Sequence, residues 1–489
     1  EKRIDNKHTE SIMKNIEIKP DLVLNNINDT DSYKFSHWMQ YPKGMNLMFS
    51  YLESRGGEFD TCTLFGLQVI IHKHIAKKFS LIDINEAQRD ADLHGEPFNR
   101  EGFLHILNKY DGHMPVRIRA IPEGLIVPVK NAIMTIESIN DPKCFWITNW
   151  LETKLSRVWY PSTIAIMSRE VKKTWKQYLE LSSDNPDAEI GFKHHDFGAR
   201  GVTSQEQAMF GGAAHLLSFL GSDSLAGIKC ANYYYDEQMS GFSIPATEHS
   251  TMTVWGRDGE YAALKNWVQK TLVERIVPVG VPKLSACVGD SYDIYKFVEM
   301  ICSQEIQEMI VSSGGTLIVR PDSGDPSEVL PKMFAIFEKH GLVTKNSKNF
   351  KILQPHLRII WGDGINRRSM KDILKLVTDL GWSASNIAFG SGGGLLQDVN
   401  RDTQKFAFKC SYAQINGEGI DVRKDPITDP RKKSKAGRLD LIKTSNGYQT
   451  ICLNDDVIAH PDSVMVTVFN CGKITNNTTF AECRERMTI

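Results

Sequence analysis

From about residue 189 to 412 one rhythm repeats: a short apolar segment runs into a polar, often glycine-rich turn, and most turns open helical periodicity. The segments are Glu189–Lys193 before His194–Gly201, Leu216–Leu220 before Gly221-Ser222-Asp223, Gly241–Pro245 before Ala246–Ser250, and Leu284–Val288 before Gly289–Asp293. Thr316–Val319 before Arg320–Gly324, Leu357–Trp361 before Gly362–Gly364, Asn386–Phe389 before Gly390–Gly394, and Lys405–Phe408 before Lys409–Tyr412 complete the set. Continuous apolar strands alternating with helices predict a parallel sheet covered on both faces. Eight such units in about 220 residues match one parallel β/α barrel. An open doubly wound sheet would give a similar pattern. In either fold Asp, Arg, His and Gly collect on the C-terminal side of the strands, where barrel active sites are assembled.

The flanks read differently. Gly66–Ile75 has the spacing of an amphipathic helix, Met114–Ile121 alternates like a half-buried strand, and Phe145–Tyr160 predicts a helix stopped at Pro161. Beyond about residue 413 strand-like alternation follows the basic run Arg431–Lys435. The expected organisation is therefore α/β: a polar extension over 1–20, a mixed α+β domain over 21–160 completed by 413–489, and the barrel over 161–412.

Composition narrows the class. Lys plus Arg total 58 against 59 Asp plus Glu, a net charge of -1, which argues against nucleic acid or an anionic membrane as partner. No apolar run approaches the ~18–20 residues of a membrane span, and the N-terminus lacks the apolar stretch of a signal peptide. Nine cysteines without a C-x-x-C pair suggest neither a disulfide framework nor a zinc ribbon, so a reducing cytoplasm is expected.

Several turns could carry chemistry. Successive glycines in Gly390-Ser391-Gly392-Gly393-Gly394 let backbone N–H groups converge on an anion, although a flexible loop would read the same. The sequence matches neither a Walker A loop nor G-x-G-x-x-G. In Arg320-Pro321-Asp322-Ser323-Gly324 a guanidinium could grip pyrophosphate and a carboxylate could accept from sugar hydroxyls, or the two could form an internal salt bridge. Asp290, Asp293 and Asp363 admit a helix-capping reading. Overlapping capping boxes at Thr203/Glu206 and Ser204/Gln207 put a helix N-terminus, an anion site, just beyond Arg200. Phe197 is either a core residue or a stacking platform. His249, between Glu248 and Ser250, is either a satisfied buried histidine or a site residue. Lys424 and the Arg431–Lys435 run would ordinarily be solvated surface charge.

Together these turns resemble the nicotinamide phosphoribosyltransferase family. The resemblance runs from about Asp31 past Lys435 and rests on long motifs: His195-Asp196-Phe197-Gly198, Glu248-His249-Ser250-Thr251, Asp290–Tyr295, Arg320–Gly324 and Phe389–Gln397. It implies a type II phosphoribosyltransferase barrel with a smaller mixed domain, and a homodimer whose subunits share each site. The reaction implied joins nicotinamide to phosphoribosyl pyrophosphate, giving nicotinamide mononucleotide and pyrophosphate.

By resemblance, Phe197 and the partner's Tyr33 would sandwich the pyridine, and Asp223 would accept from the carboxamide. Arg200, His249 and Arg320 would hold pyrophosphate, and Asp322 the ribose hydroxyls. Gly362, Asp363, Gly392 and Gly393 would line the 5′-phosphate pocket. Arg55, Arg401, Lys409, Lys424 and Lys432 would supply positive charge, several across the dimer. Mg²⁺ would arrive on phosphoribosyl pyrophosphate without direct protein ligands, and ATP would stimulate turnover by phosphorylating His249.

Ala407 and Trp361 depart from the family pattern, where serine and glutamine are common. The nearest rival is nicotinate phosphoribosyltransferase, but a carboxylate substrate would be repelled by Asp223. A barrel isomerase or lyase acting on a sugar phosphate would want a rim lysine, for which Lys409 could serve. A non-catalytic binding protein would not need the full ionic set.

Overall fold

The computed structural model describes residues 22–428, 433–454 and 457–489, so the expected extension over 1–20 and Lys432 lie outside the described residues. Six strands form a parallel sheet in the order Gly221–Ser222, His194–Asp196, Ile387–Ser391, Leu357–Trp361, Thr316–Arg320, Leu284–Val288. Its two edges are joined through residues 242–246. Phe242 N donates to Leu220 O at 2.7 Å and Ser222 N to Phe242 O at 3.0 Å, while Ala286 N donates to Pro245 O at 2.9 Å and Thr247 N to Ala286 O at 3.1 Å. Single bridges thus close the ring where a regular strand is missing. The apolar faces of Ile294–Ile301, Pro326–Lys339 and Arg367–Asp379 pack on the sheet, so Phe297, Leu330 and Leu374 share one core with Val319, Ile359 and Phe389.

Three expected strands move. Glu189–Phe192 is helical, because Pro186 opens a helix at its first turn, and the strand begins at His194. Leu216–Leu220 continues the end of helix Gln205–His215, and the strand is Gly221–Ser222. Lys405–Phe408 is not a barrel strand: Phe406–Ile415 pairs antiparallel with Met45–Ser54. Only the four-residue helix Gly393–Leu396 lies between Ser391 and Phe406, too little for the crossover helix that usually joins parallel strands. Pro161 also fails to stop a helix. It lies in the first turn of Trp159–Ser182, where its missing N–H costs nothing.

The second sheet has seven strands, in the order Glu418–Asp421, Phe406–Ile415, Met45–Ser54, Ala132–Ser138, Val116–Ala120, Val466–Asn470, Lys473–Ile474. Segments from both flanks therefore share one antiparallel sheet. Beside it, the rings of Phe35 and Trp150 stack at 5.0 Å within an aromatic core. Among the described residues no helix is long and apolar enough to cross a membrane, and all nine cysteines are unpaired.

Candidate active site

The rim is built from neighbouring strand ends. Phe197 N donates to Ser391 O at 2.8 Å, which lays the Phe197 ring over the backbone of the adjacent strand. A Cβ on Gly390 would lie 1.9 Å from Phe197 Cε2, so only glycine leaves room for the ring. Phe197 is half-buried, with backbone beneath it, and is no core phenylalanine. Asp196, fully buried, accepts from Gly198 N at 2.7 Å, and its carbonyl accepts from Asp223 N at 2.9 Å. One buried carboxylate turn thereby sets Phe197 and Asp223 side by side. The exposed Asp223 carboxylate accepts from Ser243 Oγ. Arg200 is exposed just before helix Gln205–His215, which Ser204 caps through Gln207 N at 3.1 Å. The expected Thr203/Glu206 box is not formed, because Glu206 pairs instead with Lys73 at 2.8 Å.

Across the ring lies an ionic cluster. Arg320 donates to Thr247 O at 3.0 Å, the carbonyl two residues before His249, in place of a salt bridge with Asp322. Burial pushes the Asp322 carboxyl above its ordinary value; Arg320 and His249 oppose the shift, and Asp290 and Asp363 add to it. His249 is 46% exposed, with Nε2 3.0 Å from Asp290 Oδ1, and the other Asp290 oxygen accepts from Ser323 Oγ. This excludes a buried histidine. Asp293 is the helix cap, accepting from Tyr295 N at 3.0 Å and Lys296 N at 3.2 Å, whereas Asp290 belongs to the rim. Asp290, the partner of the expected site residue His249, is absent from the expected site residues. Its only signal was two polar turns on segments that the Ala246–Ala286 bridge makes neighbours.

Beyond Asp363 lies an open cavity of about 610 Å³, lined by Gly362–Asn366 on one side and Gly392–Gly394, Gln397 and Asp398 on the other. A Cβ on Gly394 would sit 2.4 Å from Ile365 O, so the two walls meet only because glycine stands there. The first amides of the turn Gly393–Leu396 have no partner within the turn and are free to face an anion. Trp361 is fully buried and donates from Nε1 to Asp363 O at 2.8 Å. This departure from the family pattern is a strut under the Asp363 turn. Ala407 lies opposite Glu53 in the antiparallel sheet.

Arg55, Arg401, Lys409 and Lys424 form a second charged group. Burial pushes the Lys409 ammonium below its ordinary value; Glu152 opposes this, and Arg55, Lys424 and Arg401 add to it. Lys409 pairs with Tyr51 in the antiparallel sheet, so it is not a barrel-rim lysine. Tyr33 is 57% exposed on Ser32–Met39 and meets His37 edge-on at 4.7 Å. Among the described residues no ring contact joins it to Phe197. The chain thus brings Arg320, Asp322, His249 and Asp363 together, seats Phe197 beside Asp223, and leaves Tyr33 outside that arrangement.

Residues 192–472 match the nicotinate phosphoribosyltransferase (NAPRTase) family, and residues 25–118 match the N-terminal domain of nicotinamide phosphoribosyltransferase. The chain is 45% identical over 460 residues to the nicotinamide phosphoribosyltransferase of Xanthomonas campestris pv. campestris, covering 93% of this chain and 96% of that one. It is 27% identical to the Acinetobacter baylyi enzyme of the same name, covering 95% and 97%. The fold is similar to that of nicotinate-nucleotide pyrophosphorylase from Pyrococcus furiosus, with TM-score 0.60 and 16% identity over 96% of this chain and 97% of that one. Human nicotinic acid phosphoribosyltransferase follows with TM-score 0.54 and 13% identity over 94% and 92%. With a type II phosphoribosyltransferase barrel and these relatives, the chain belongs to the nicotinate phosphoribosyltransferase family, among its nicotinamide phosphoribosyltransferases.

Proposed function

We infer that this protein transfers the phosphoribosyl group of phosphoribosyl pyrophosphate to nicotinamide, releasing nicotinamide mononucleotide and pyrophosphate in NAD salvage. The observation that carries this reading is the Asp196 turn, which seats a stacking ring and a carboxylate acceptor side by side on one rim. Phe197 stacks on the pyridine and Asp223 accepts from the carboxamide N–H₂. The glycine-walled cavity takes the ribose 5-phosphate. Asp322 accepts from the ribose hydroxyls, and Arg320, Arg200 and His249 hold the pyrophosphate.

The ring nitrogen attacks the anomeric carbon while the bond to pyrophosphate breaks, through an oxocarbenium-like transition state. The protein supplies no nucleophile. Positioning the ring and neutralising the leaving group supply the rate. Phosphoribosyl pyrophosphate enters as its Mg²⁺ complex, and the carboxylates that raise the Asp322 pKa suit a cation carried on the diphosphate. His249 is exposed and reachable by ATP, which favours its phosphorylation as the coupling step. A homodimer is supported by what the described residues leave open: the ring contact of Phe197 is the tilted one with His195 at 6.1 Å, and the partner's exposed Tyr33 is suited to cover the other face. Nine unpaired cysteines favour a cytoplasmic setting.

Nicotinate in place of nicotinamide would set two carboxylates against each other at Asp223. A Schiff-base lyase is disfavoured because Lys409 lies on the antiparallel sheet. The test is to incubate the pure protein with phosphoribosyl pyrophosphate, Mg²⁺ and either pyridine, and identify the nucleotide. Nicotinamide mononucleotide is expected; nicotinate mononucleotide, or neither, would refute the reading.

A further inference from the structure

Behind the phosphate cavity, sealed from solvent, lies a polar chain that the reaction does not use. Trp175 Nε1, which can only donate, meets His194 Nδ1 at 3.5 Å, and His194 Nε2 lies 2.8 Å from Ser391 Oγ. Ser391 Oγ lies 3.2 Å from Ile365 O, which can only accept. A second branch runs from Ser168 Oγ to His215 Nδ1 at 3.0 Å and from His215 Nε2 to His194 O at 3.1 Å. His194, Ser391, Ser168 and His215 are all buried.

The end groups fix the direction of every bond. Trp175 Nε1–H donates a hydrogen bond to a bare Nδ1, so His194 carries its hydrogen on Nε2 and donates to Ser391, whose hydroxyl donates onward to Ile365 O. Burial, with His215 and His195 adding to it, pushes the imidazole well below its ordinary value, in accord with a neutral ring. Ser391 immediately precedes Gly392 and Gly393 on one wall of the cavity, and Ile365 belongs to the other. The same Ile365 carbonyl abuts Gly394, so the seam between the walls is the point where the chain ends.

We propose that His194, as the neutral Nε2–H tautomer, is a positioning residue that locks the two walls of the phosphate cavity in register through Ser391 and Ile365. This rests on the reading of that cavity as the ribose 5-phosphate subsite. A merely structural histidine would affect stability or both substrates alike; a positioning role concentrates the loss on the phosphorylated substrate.

Ser391→Ala and His194→Leu should each raise the KM for phosphoribosyl pyrophosphate about five- to tenfold, the worth of one oriented hydrogen bond, with kcat and the nicotinamide KM held within about twofold. His194→Gln, which keeps an N–H donor, should recover most of the loss, and the Leu/Ala double variant should be no worse than His194→Leu alone. Ribose 5-phosphate binding, measured by calorimetry on the same proteins, should weaken by the same factor. Unchanged ribose 5-phosphate affinity in Ser391→Ala, or equal KM rises for both substrates, overturns the proposal. If the wild type makes no nucleotide yet binds ribose 5-phosphate, and the variants lose that binding, the positioning role stands and the proposed reaction falls. Nitrogen-15 NMR of histidine side chains in the intact wild type needs no substitution: a protonated Nε2 and bare Nδ1 at His194 are expected, and an Nδ1–H tautomer refutes the chain.

Discussion

At the scale of single residues the rim separates recognition from ionic work. Asp223 is exposed, and Ser243 orients it by donating to one oxygen, which leaves the other for a carboxamide. Asp223→Ser should lower kcat/KM for nicotinamide about tenfold or more and raise the nicotinate-to-nicotinamide ratio, since a hydrogen bond to a charged acceptor is worth about 1.5–3 kcal/mol. An unchanged substrate ratio would remove Asp223 from the recognition site. His249→Ala should abolish ATP stimulation and ATPase turnover and also weaken the basal reaction; an alanine variant that still hydrolyses ATP in step with product would rule out a phosphohistidine. Asp322 offers a test by pH. Its carboxyl is raised by burial and, among its neighbours, by Asp290 and Asp363, so the acid limb of kcat/KM for phosphoribosyl pyrophosphate is expected above the ordinary carboxylate range. Asp290→Asn removes a negative neighbour and should move that limb to lower pH, read from the pH profile of kcat/KM. A limb that stays put would detach it from Asp322.

Between elements, contacts at backbone range decide where the ring sits. Gly390→Ala would drive a methyl into Phe197, a degree of overpacking worth about 1–3 kcal/mol in a sealed core. Phe197 is half-exposed and can yield, so the expected damage is a nicotinamide KM raised about tenfold or more with a nearly unchanged melting temperature. Large destabilisation with normal KM would mean that the ring is core after all. Far from the site, Asp141 joins the loop after strand Ala132–Ser138 to helix Arg100–Tyr110. Its Oδ2 accepts from His105 at 2.9 Å, Lys109 at 2.8 Å and Tyr110 at 2.7 Å. Burial works to raise its pKa, but these donors outweigh it and hold the carboxyl well below the usual range. A depressed folded-state pKa stabilises above the unfolded value of about 3.9 and loses that contribution as pH falls. The urea midpoint of Asp141→Asn should therefore trail wild type at pH 7, with the gap narrowing below about pH 4. A constant gap would show that packing, and not charge, holds the joint.

At the scale of the whole molecule the proposed site spans two chains. The barrel rim supplies one aromatic face, and Tyr33 stands on a separate element with its ring largely exposed. If dimers complete the site, mixing inactive Tyr33→Ala and Asp322→Ala proteins under subunit exchange should restore part of the activity, because one of the two composite sites carries neither lesion. No recovery, with mixed dimers demonstrated by native mass spectrometry, would mean that each chain works alone.

The sequence alone determined the features that local chemistry encodes. Runs such as Leu284–Val288 and Leu357–Trp361 are apolar without alternation because both faces of a parallel strand are buried, and the polar turns after them marked the rim. Phe197, Asp223, His249, Arg320 and Asp322 were legible as candidates for the same reason: each lies in a turn just beyond a strand-like segment. Tertiary structure alone decided what depends on neighbours distant in the chain. The 242–246 segment, expected as a strand over Gly241–Pro245, closes the ring with single bridges and forms no regular strand. Phe406–Ile415 left the barrel because no crossover helix precedes it and Met45–Ser54 offered an antiparallel edge. Asp290 and Asp293 look alike in sequence, and only their partners, His249 at 3.0 Å for one and Tyr295 N at 3.0 Å for the other, separate a rim carboxylate from a helix cap. Glycines 390 and 394 read as an anion-binding or flexible loop, yet the need for them is also steric, set by Phe197 and Ile365 pressing on their backbone from neighbouring turns.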